Sequence, residues 1–477
     1  MFDAVIIGAG ISGAMVARSL TEYGLSVCIV EAAGDVAMGS TKANSAIVHA
    51  GFDALPGTLK ARLNVRGSEM MEDICRQLGV KYKRVGALVV ALADEDRPTV
   101  ENLLERGRRN GVKDLRIVER DELLEMEPNI GDGVVCALYA PTSAIVCPYE
   151  LCIAAIGNAM DNGAALKLNF PVKSIEKQAE GFAVSSENET VAGRYVINCA
   201  GIHSDEIARL SGDGSFTVTP RKGEYMLLDK ECGTLVSRTI FRCPGVMGKG
   251  VLVSPTVDGN LLLGPTAVNQ EDKDDKSASA EGFAFIKEKA PQQVKGIQMG
   301  KVIASFAGLR AVGSTGDFII NEPAAGFVNV AAIESPGLSS APAIGEYVRD
   351  MLAADGVAMA KRPDFESNRK SIHWYKTLSD GEKNAVIAEH PEYGHIVCRC
   401  ETVSEGEILD AIRRNPRPSD VDGVKRRTRA TMGRCQGGFC TPYIVGLLSK
   451  ELGIDYGDVT KFGGDSLINI RKTKAAE

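Results

Sequence analysis

Residues 4–31 read AVIIGAGISGAMVARSLTEYGLSVCIVE. The apolar run from Ala4 to Ile7 leads directly into the pattern Gly8-x-Gly10-x-x-Gly13. Residues with helical spacing follow, and a second apolar run, Val27 to Val30, comes before an acidic residue. This order predicts a strand, a helix and a second strand joined by a glycine-rich turn, which is a βαβ unit.

Each glycine of this turn has a separate task in a dinucleotide site. Gly8 permits the tight turn out of the strand, Gly10 lets a pyrophosphate approach the backbone, and Gly13 lets the helix pack closely on the sheet. The amide groups at the helix N-terminus then face the phosphates. Glu31, at the end of the second strand, is placed to bind a ribose 2′-hydroxyl, and an acid there disfavours NADP.

The composition restricts the class of protein and its partners. At 477 residues the chain has room for two or three domains of ordinary globular composition. The net charge of −7 argues against nucleic acid or an anionic membrane as a partner. Neither a transmembrane segment nor a signal peptide is recognisable. We therefore expect a cytoplasmic protein, either free or peripheral at the inner membrane through a partner.

Strand and helix patterns alternate along the chain, which predicts the α/β class. Other segments interrupt those of the nucleotide-binding domain, so we expect an α+β substrate domain inserted into it. A polar, proline-containing segment then leads to a small C-terminal domain. The expected boundaries are residues 1–85, 145–215 and 312–357 for the nucleotide-binding domain, 86–144 and 216–311 for the substrate domain, 358–394 for the connector, 395–455 for the C-terminal domain and 456–477 for a tail.

Three further segments point to one family. Residues 40–51 read STKANSAIVHAG, residues 195–201 read YVINCAG, and residues 332–341 read AIESPGLSSA. With the glycine-rich turn, they resemble the glycine oxidase and D-amino acid oxidase-like superfamily of FAD enzymes. The resemblance implies a Rossmann-like FAD-binding domain in which a helix that opens at Gly337 directs its positive end at the flavin. The FAD-binding residues that it implies are Gly8, Gly10, Gly13, Glu31, Ser40, Thr41, Ser45, Ala200, Gly201, Gly337, Leu338 and Ser339.

Within this superfamily, the sequence around His49 is similar to one branch, which contains L-2-hydroxyglutarate dehydrogenases and bacterial glycerol-3-phosphate dehydrogenases. Residues 306–310, FAGLR, resemble the segment by which the glycerol-3-phosphate enzymes present an arginine to the substrate phosphate. The resemblance implies that Arg310 binds the anionic group of the substrate. His49 either takes the hydroxyl proton as a base or packs against the flavin ring.

One position departs from the aerobic glycerol-3-phosphate enzymes, which carry an arginine two residues beyond the glycine of their His-Gly-Gly motif. This chain has Asp53 there. Part of the usual phosphate-binding set is therefore absent or supplied by other cations, for which Arg242 and Lys249 are the candidates. The sequence consequently defines the substrate less well than the fold.

Four of the twelve cysteines are grouped in the C-terminal region. Cys398-x-Cys400 and Cys435-x4-Cys440 suit a [2Fe–2S] cluster, whose two irons each need two sulfur ligands. Structural zinc is the alternative, although zinc sites favour wider gaps than one residue within a pair. The surrounding residues resemble the bacterioferritin-associated ferredoxin-like domain, which implies a small helical [2Fe–2S] domain. We expect most of the other eight cysteines to be buried as small apolar residues.

A basic run, KRRTR at residues 425–429, lies between the two cysteine pairs, and Arg434 follows it. Such a run is usually a solvated face. The alternative is an electrostatic role, because guanidinium groups near an anionic cluster would raise its potential or guide a redox partner.

The leading hypothesis is an FAD-dependent dehydrogenase that oxidises sn-glycerol 3-phosphate, a small anionic hydroxylated substrate, to dihydroxyacetone phosphate. Electrons would pass through the [2Fe–2S] cluster to an external acceptor, either a second flavoprotein subunit or another redox partner protein. The alternatives are oxidation of L-2-hydroxyglutarate or another 2-hydroxy acid, oxidation of an amine or amino acid, and an electron-transfer or redox-sensing module without a substrate of its own.

Overall fold

The computed structural model describes residues 1–244, 250–471 and 474. Its strands are β1 (Phe2–Ile7), β2 (Val27–Val30), β3 (Ile47–Val48), β4 (Tyr82–Lys83), β5 (Ala87–Ala91), β6 (Arg116–Glu119), β7 (Cys136–Ala140), β8 (Ala144–Val146), β9 (Ala165–Lys167), β10 (Ser174–Gln178), β11 (Gly181–Ser185), β12 (Thr190–Asn198), β13 (Val218–Leu228), β14 (Thr239–Arg242), β15 (Leu252–Pro255), β16 (Leu261–Gly264), β17 (Val268–Asn269), β18 (Val302–Gly313), β19 (Ile319–Ala324), β20 (Phe327–Ala331), β21 (Ile396–Cys398) and β22 (Val403–Ser404). Its α-helices are α1 (Ile11–Thr21), α2 (Leu59–Leu78), α3 (Arg97–Arg109), α4 (Arg120–Met126), α5 (Pro148–Asp161), α6 (Ser204–Leu210), α7 (Ala280–Gln293), α8 (Gly337–Ala354), α9 (Asp380–Glu389), α10 (Glu405–Arg413), α11 (Val421–Thr428) and α12 (Thr441–Leu452).

The N-terminal βαβ unit lies at the centre of the first sheet. β1 pairs in parallel with β2 on one side and with β12 on the other, and β9 and β20 extend the parallel part. Ala4 and Ile6 of β1 enter the core that is shared with α1, α5 and α8, whereas Val5 and Ile7 enter the core on the opposite face. Because both faces are covered, the parallel part of this mixed sheet is Rossmann-like, and the predicted α/β class is confirmed.

The second sheet has the order β17-β13-β16-β15-β14-β5-β7-β6, with β18 paired to β13. Its strands come from two stretches of chain, residues 87–140 and 218–313, and most pairs are antiparallel. Helices α3, α4 and α7 pack against it. The face of β13 and β18 that carries Tyr225 turns toward the first sheet and bounds the cavity described below.

The C-terminal strands β21 and β22 and helices α10, α11 and α12 surround a small apolar core of their own, which includes Ile408, Val424 and Ile444. A capping box starts α10, since Ser404 and Glu407 each accept a hydrogen bond from the other's backbone N–H. This arrangement is the small helical unit that the sequence predicts.

The segment between α8 and β21 is packed against its neighbours on both sides. Arg369 pairs with Asp161 of α5 at 3.0 Å. Nε1 of Trp374 donates to Asp410 of α10 at 2.9 Å. The segment therefore ties the first-sheet domain to the C-terminal domain.

All twelve cysteines are free thiols, and the eight outside the C-terminal group are buried, as expected. Within the ranges given above, none of the helices combines the length and the apolar character needed to cross a bilayer.

Candidate active site

A cavity of about 980 Å³ lies between the two sheets. It opens at the carboxyl ends of β1, β2 and β12, where open α/β sheets bind their ligands. Its volume is near the upper end of the ~300–1,000 Å³ range of ligand pockets. The sequence-predicted residues that line it are Gly8, Gly10, Glu31, Ser40, Thr41, Ser45, His49, Ala200, Gly201, Arg310, Gly337 and Leu338.

The glycine-rich turn has the shape that a pyrophosphate needs. Gly8 has a φ of +106°, and a Cβ there would lie 2.5 Å from the carbonyl oxygen of Cys199. A Cβ on Gly13, which lies behind the cavity wall, would lie 2.1 Å from the carbonyl oxygen of Gly8. α1 begins directly after Gly10, which has no side chain to cover the first turn. The positive end of α1 therefore faces the cavity, as an anion site requires.

Glu31 is held by two backbone donors. Its carboxylate accepts hydrogen bonds from Ala9 N at 2.7 Å and from Ala33 N at 2.9 Å. Burial raises its pKa above the usual value, and the backbone donors oppose that rise. A carboxylate has about four acceptor positions, so Glu31 can still accept from a ribose hydroxyl group. The residue fits the nucleotide role that the sequence predicts for it.

The turn before α8 forms another part of the wall. Gly337 and Leu338, the first residues of α8, line the cavity, so the positive end of this helix also faces it. Ser339, the remaining predicted residue, lies just behind the wall, where its hydroxyl accepts from His49 N at 2.8 Å. A Cβ on Gly67 of α2 would lie 2.2 Å from the carbonyl oxygen of Ser339, so only glycine permits this approach of α2.

His49 is fixed through its main chain. Besides the bond from its N–H to Ser339, its carbonyl oxygen accepts from Nδ2 of Asn64 at 2.6 Å. The imidazole lines the cavity with its centre 5.7 Å from that of the Phe241 ring. These two hydrogen bonds hold the main chain of His49 in place, so its imidazole has a fixed point of attachment at the cavity wall.

Arg310 of β18 lies directly opposite Arg221 of β13, and both line the cavity. Nη2 of Arg310 donates to the carbonyl oxygen of Thr266 at 3.0 Å, and Nε of Arg221 donates to Oδ1 of Asn269 at 2.8 Å. Both acceptors are uncharged. Because like charges directly opposite each other in a sheet repel, this pair favours an anionic ligand.

Sequence reasoning missed Arg221 and Tyr225. Residues 221 and 225 lie on the same face of β13 because side chains alternate along a strand. Tyr225 stacks on Phe306 with ring centres 4.8 Å apart, and its hydroxyl lies 3.2 Å from that of Ser45. The alternation could be read from the sequence, but the pairing of β13 with β18 depends on the fold.

The sequence raised three residues in connection with the phosphate site: Asp53, Arg242 and Lys249. Asp53 lines the cavity. Arg242 does not, and its guanidinium instead donates to Gln292 at 3.3 Å. The suggestion that Arg242 supplies the missing charge is therefore wrong, whereas Lys249 lies outside the described residues. Arg221 is the other arginine, beside Arg310, that lines the cavity.

The four C-terminal thiols form two pairs, Cys398 with Cys440 and Cys400 with Cys435. The hydrogen bond between Cys398 and Cys440 lowers the pKa of Cys398 and raises that of Cys440. Burial raises the pKa of Cys435, but the contact with Cys400 and several backbone N–H groups of the loop more than offset this, so that pKa is lowered. Each pair thus stabilises one thiolate, and iron, whose ligands are thiolates, would displace the proton of the other thiol.

This arrangement suits two irons better than one zinc ion. A tetrahedral zinc site would need four ligands around a single centre, whereas each iron of a [2Fe–2S] cluster takes two thiolates. The paired thiols fit the cluster.

The basic run is not a solvated face. Arg427 is buried against Asp35, which follows β2, at 2.8 Å. Arg429 is buried between Asp258 and Glu401, at 2.8 Å from each. The expectation of a solvated face is wrong because Asp35 and Asp258 come from distant parts of the chain, whereas an electrostatic role toward the cluster stays a prediction. The run joins the C-terminal domain to the rest of the protein.

Comparison with protein families agrees with this architecture. Residues 3–351 match the FAD dependent oxidoreductase family, and residues 396–450 match the BFD-like [2Fe–2S] binding domain. The chain belongs to the FAD dependent oxidoreductase family and is an FAD-dependent oxidoreductase with an added [2Fe–2S] domain. The FAD and [2Fe–2S] cofactors predicted from the sequence are thereby confirmed.

Individual proteins of known name are similar to this chain over different shares of its length. The chain is 46% identical to the glycerol 3-phosphate dehydrogenase of Caloramator mitchellensis over 477 residues, which cover 100% of this chain and 99% of that protein. It is 33% identical to human mitochondrial L-2-hydroxyglutarate dehydrogenase over 284 residues, 56% of this chain and 61% of that one. The FAD-bound structure of L-alpha-glycerophosphate oxidase from Mycoplasma pneumoniae is similar with a TM-score of 0.73 and 29% identity, covering 77% of this chain and 98% of that one.

Proposed function

We propose that this chain is an FAD-dependent dehydrogenase that oxidises sn-glycerol 3-phosphate to dihydroxyacetone phosphate. The observation that carries the proposal is the opposed pair Arg221 and Arg310, two guanidinium groups that face one cavity. The full-length similarity to the Caloramator mitchellensis glycerol 3-phosphate dehydrogenase supports the same substrate.

The two arginines bind the phosphate group. A planar guanidinium offers a phosphate two parallel, charge-assisted hydrogen bonds. A dianion between Arg221 and Arg310 also removes the repulsion between the two cations. The uncharged acceptors Thr266 and Asn269 orient the guanidinium groups without neutralising them.

His49 accepts the proton of the substrate hydroxyl. When bound, FAD accepts the hydride from the substrate carbon, and the [2Fe–2S] cluster carries electrons one at a time. The alcohol therefore loses a hydride from carbon and a proton from oxygen, and the proton needs a base on this chain. His49 is a cavity-lining imidazole whose main chain is hydrogen-bonded on both sides.

The final electron acceptor is a redox partner protein that docks at the C-terminal domain. Cys400 is exposed, so an acceptor can approach the cluster site from solvent. The twelve free cysteines suit a reducing compartment. We therefore assign the protein to the cytoplasm, either free or held at the inner membrane by that partner.

L-2-hydroxyglutarate is the second candidate substrate, because opposed arginines also suit carboxylates and the chain is 33% identical to the human enzyme that is named for that acid. Steady-state kinetics with an artificial acceptor separate the two. We expect kcat/KM for sn-glycerol 3-phosphate to exceed that for L-2-hydroxyglutarate by at least ~100-fold, equivalent to about 2.7 kcal/mol. Glycerol, which lacks the phosphate, is the control, and the opposite preference would establish the second candidate.

A further inference from the structure

The segment of residues 31–42 connects β2 to the turn at Ser40–Lys42 and borders the cavity with both of its ends. Residues 31–33 line the cavity at one end of the segment, and residues 38–42 line it at the other. These ends include Glu31, Ser40 and Thr41, which the sequence assigns to FAD. The middle of the segment, around Asp35, turns away from the cavity and contacts the C-terminal domain.

Asp35 makes this contact through a buried ion-pair cluster. Its Oδ2 accepts from Arg426 at 2.5 Å and from Arg427 at 2.9 Å, and its Oδ1 accepts from Arg427 at 2.8 Å. Asp35 and Arg427 are each 1% exposed. Burial alone would raise the pKa of Asp35, but the charges of Arg427 and Arg426 hold it well below its usual value. The carboxylate is therefore ionised and bound at both oxygens.

Arg427 is itself fixed within the C-terminal domain. Nε of Arg427 donates to the carbonyl oxygen of Pro416 at 3.0 Å, and Nη1 donates to that of Gly423 at 2.9 Å. Ser419 adds a bond to the carbonyl oxygen of Gly34, beside Asp35. Helix α11 and the residues before it thus form a rigid surface on which the segment rests.

The first-sheet domain also holds this segment, since Val36 and Ala37 are buried in its core and Thr41 accepts from Ile11 N at 3.0 Å. Ala37 N donates to the carbonyl oxygen of Ala9 at 3.0 Å, and Asn169 N donates to that of Ala33. Ala37 has a φ of +63°, a conformation that a non-glycine residue adopts only where its surroundings impose it. The contact of Asp35 with α11 supplies such a constraint.

We propose that Asp35, Arg426 and Arg427 make the C-terminal domain part of the FAD site. Helix α11 holds residues 31–42 in the conformation that binds FAD, so FAD affinity depends on the docked iron–sulfur domain. These are positioning residues, since they act on the FAD site through the backbone of the segment and none of them lines the cavity. The inference is independent of which substrate the enzyme oxidises.

FAD titration of flavin-stripped protein, followed by quenching of flavin fluorescence, tests this. Arg427→Ala and the nearly isosteric Asp35→Asn should each raise the Kd for FAD at least tenfold and retain the visible absorbance of the cluster. The two effects should be non-additive in the double variant, since they break one interaction. Asp35→Asn, which preserves size, is the deciding variant if Arg427→Ala does not fold.

The matched control is Arg429→Ala, which breaks another buried contact between the domains without touching residues 31–42. Its Kd for FAD should stay within about threefold of wild type. Unchanged FAD affinity in Asp35→Asn overturns the proposal. So does an equal loss of affinity in Arg429→Ala, because the effect would then belong to domain docking in general.

Discussion

At the scale of single residues, the charge that the cavity offers a substrate depends on which cations already have a carboxylate partner. Lys60, which lines the cavity, pairs with Glu334 at 2.7 Å. Arg310 instead bonds to a backbone carbonyl group. An ion pair reduces the attraction that a cation can offer a ligand, so the anionic group is assigned to the two opposed arginines rather than to Lys60.

Arg310→Ala should lower kcat/KM for sn-glycerol 3-phosphate by about two to four orders of magnitude. The reason is the loss of two charge-assisted hydrogen bonds of roughly 1.5–3 kcal/mol each. Arg310→Lys should restore little, since an ammonium group cannot make the parallel pair. Arg221→Ala should show a loss of the same kind. Arg242→Ala, outside the cavity, is the control, and near-normal kinetics in Arg310→Ala with only a lower Tm would refute the assignment.

At the scale of elements, short strands and helices hold the cysteine pairs. Cys398 ends β21, and Cys440 immediately precedes α12, while Cys435 lies in the loop between α11 and α12. The domain has its own apolar core, separate from those of the two sheets. Loss of one thiol should therefore affect the cluster more than the FAD cavity.

Cys435→Ser should remove the visible absorption of the [2Fe–2S] cluster and leave reduction of FAD by substrate largely intact. Turnover with the natural acceptor should fail, because the route for single electrons is lost. Cys232→Ser, the same change at a buried thiol of the second sheet's domain, should retain the cluster. Iron-free protein that contains zinc after anaerobic preparation would favour a structural metal instead.

Local sequence patterns predicted the α/β fold class and both cofactors. The glycine-rich turn, Glu31 and the two cysteine pairs indicated both cofactors because each requires particular residues at fixed spacing. The pairing of β13 with β18, which brings Arg221 opposite Arg310, could not be predicted, since strand register depends on tertiary packing. The burial of residues 425–429 was missed for the same reason, because Asp35 and Asp258 are distant in sequence.

At the scale of the whole molecule, the C-terminal domain contacts the domains of both sheets. Arg427 bonds to Asp35 beside the first sheet, and Arg429 bonds to Asp258, which precedes β16 of the second. Each pair is buried, and breaking a buried pair by removing one partner costs about 3–5 kcal/mol. The two cofactor sites are therefore parts of one assembly, which is the arrangement that the proposed transfer of electrons between them requires.

The most direct test of the account is anaerobic mixing of the holoenzyme with sn-glycerol 3-phosphate while the visible absorbance of flavin and cluster is recorded. We predict rapid bleaching of the flavin, followed by a decrease in the absorbance of the oxidised cluster, and no comparable change with glycerol. Dithionite, which reduces the flavin chemically, is the control. If dithionite bleaches the flavin but sn-glycerol 3-phosphate leaves its spectrum unchanged, the enzyme does not oxidise this substrate.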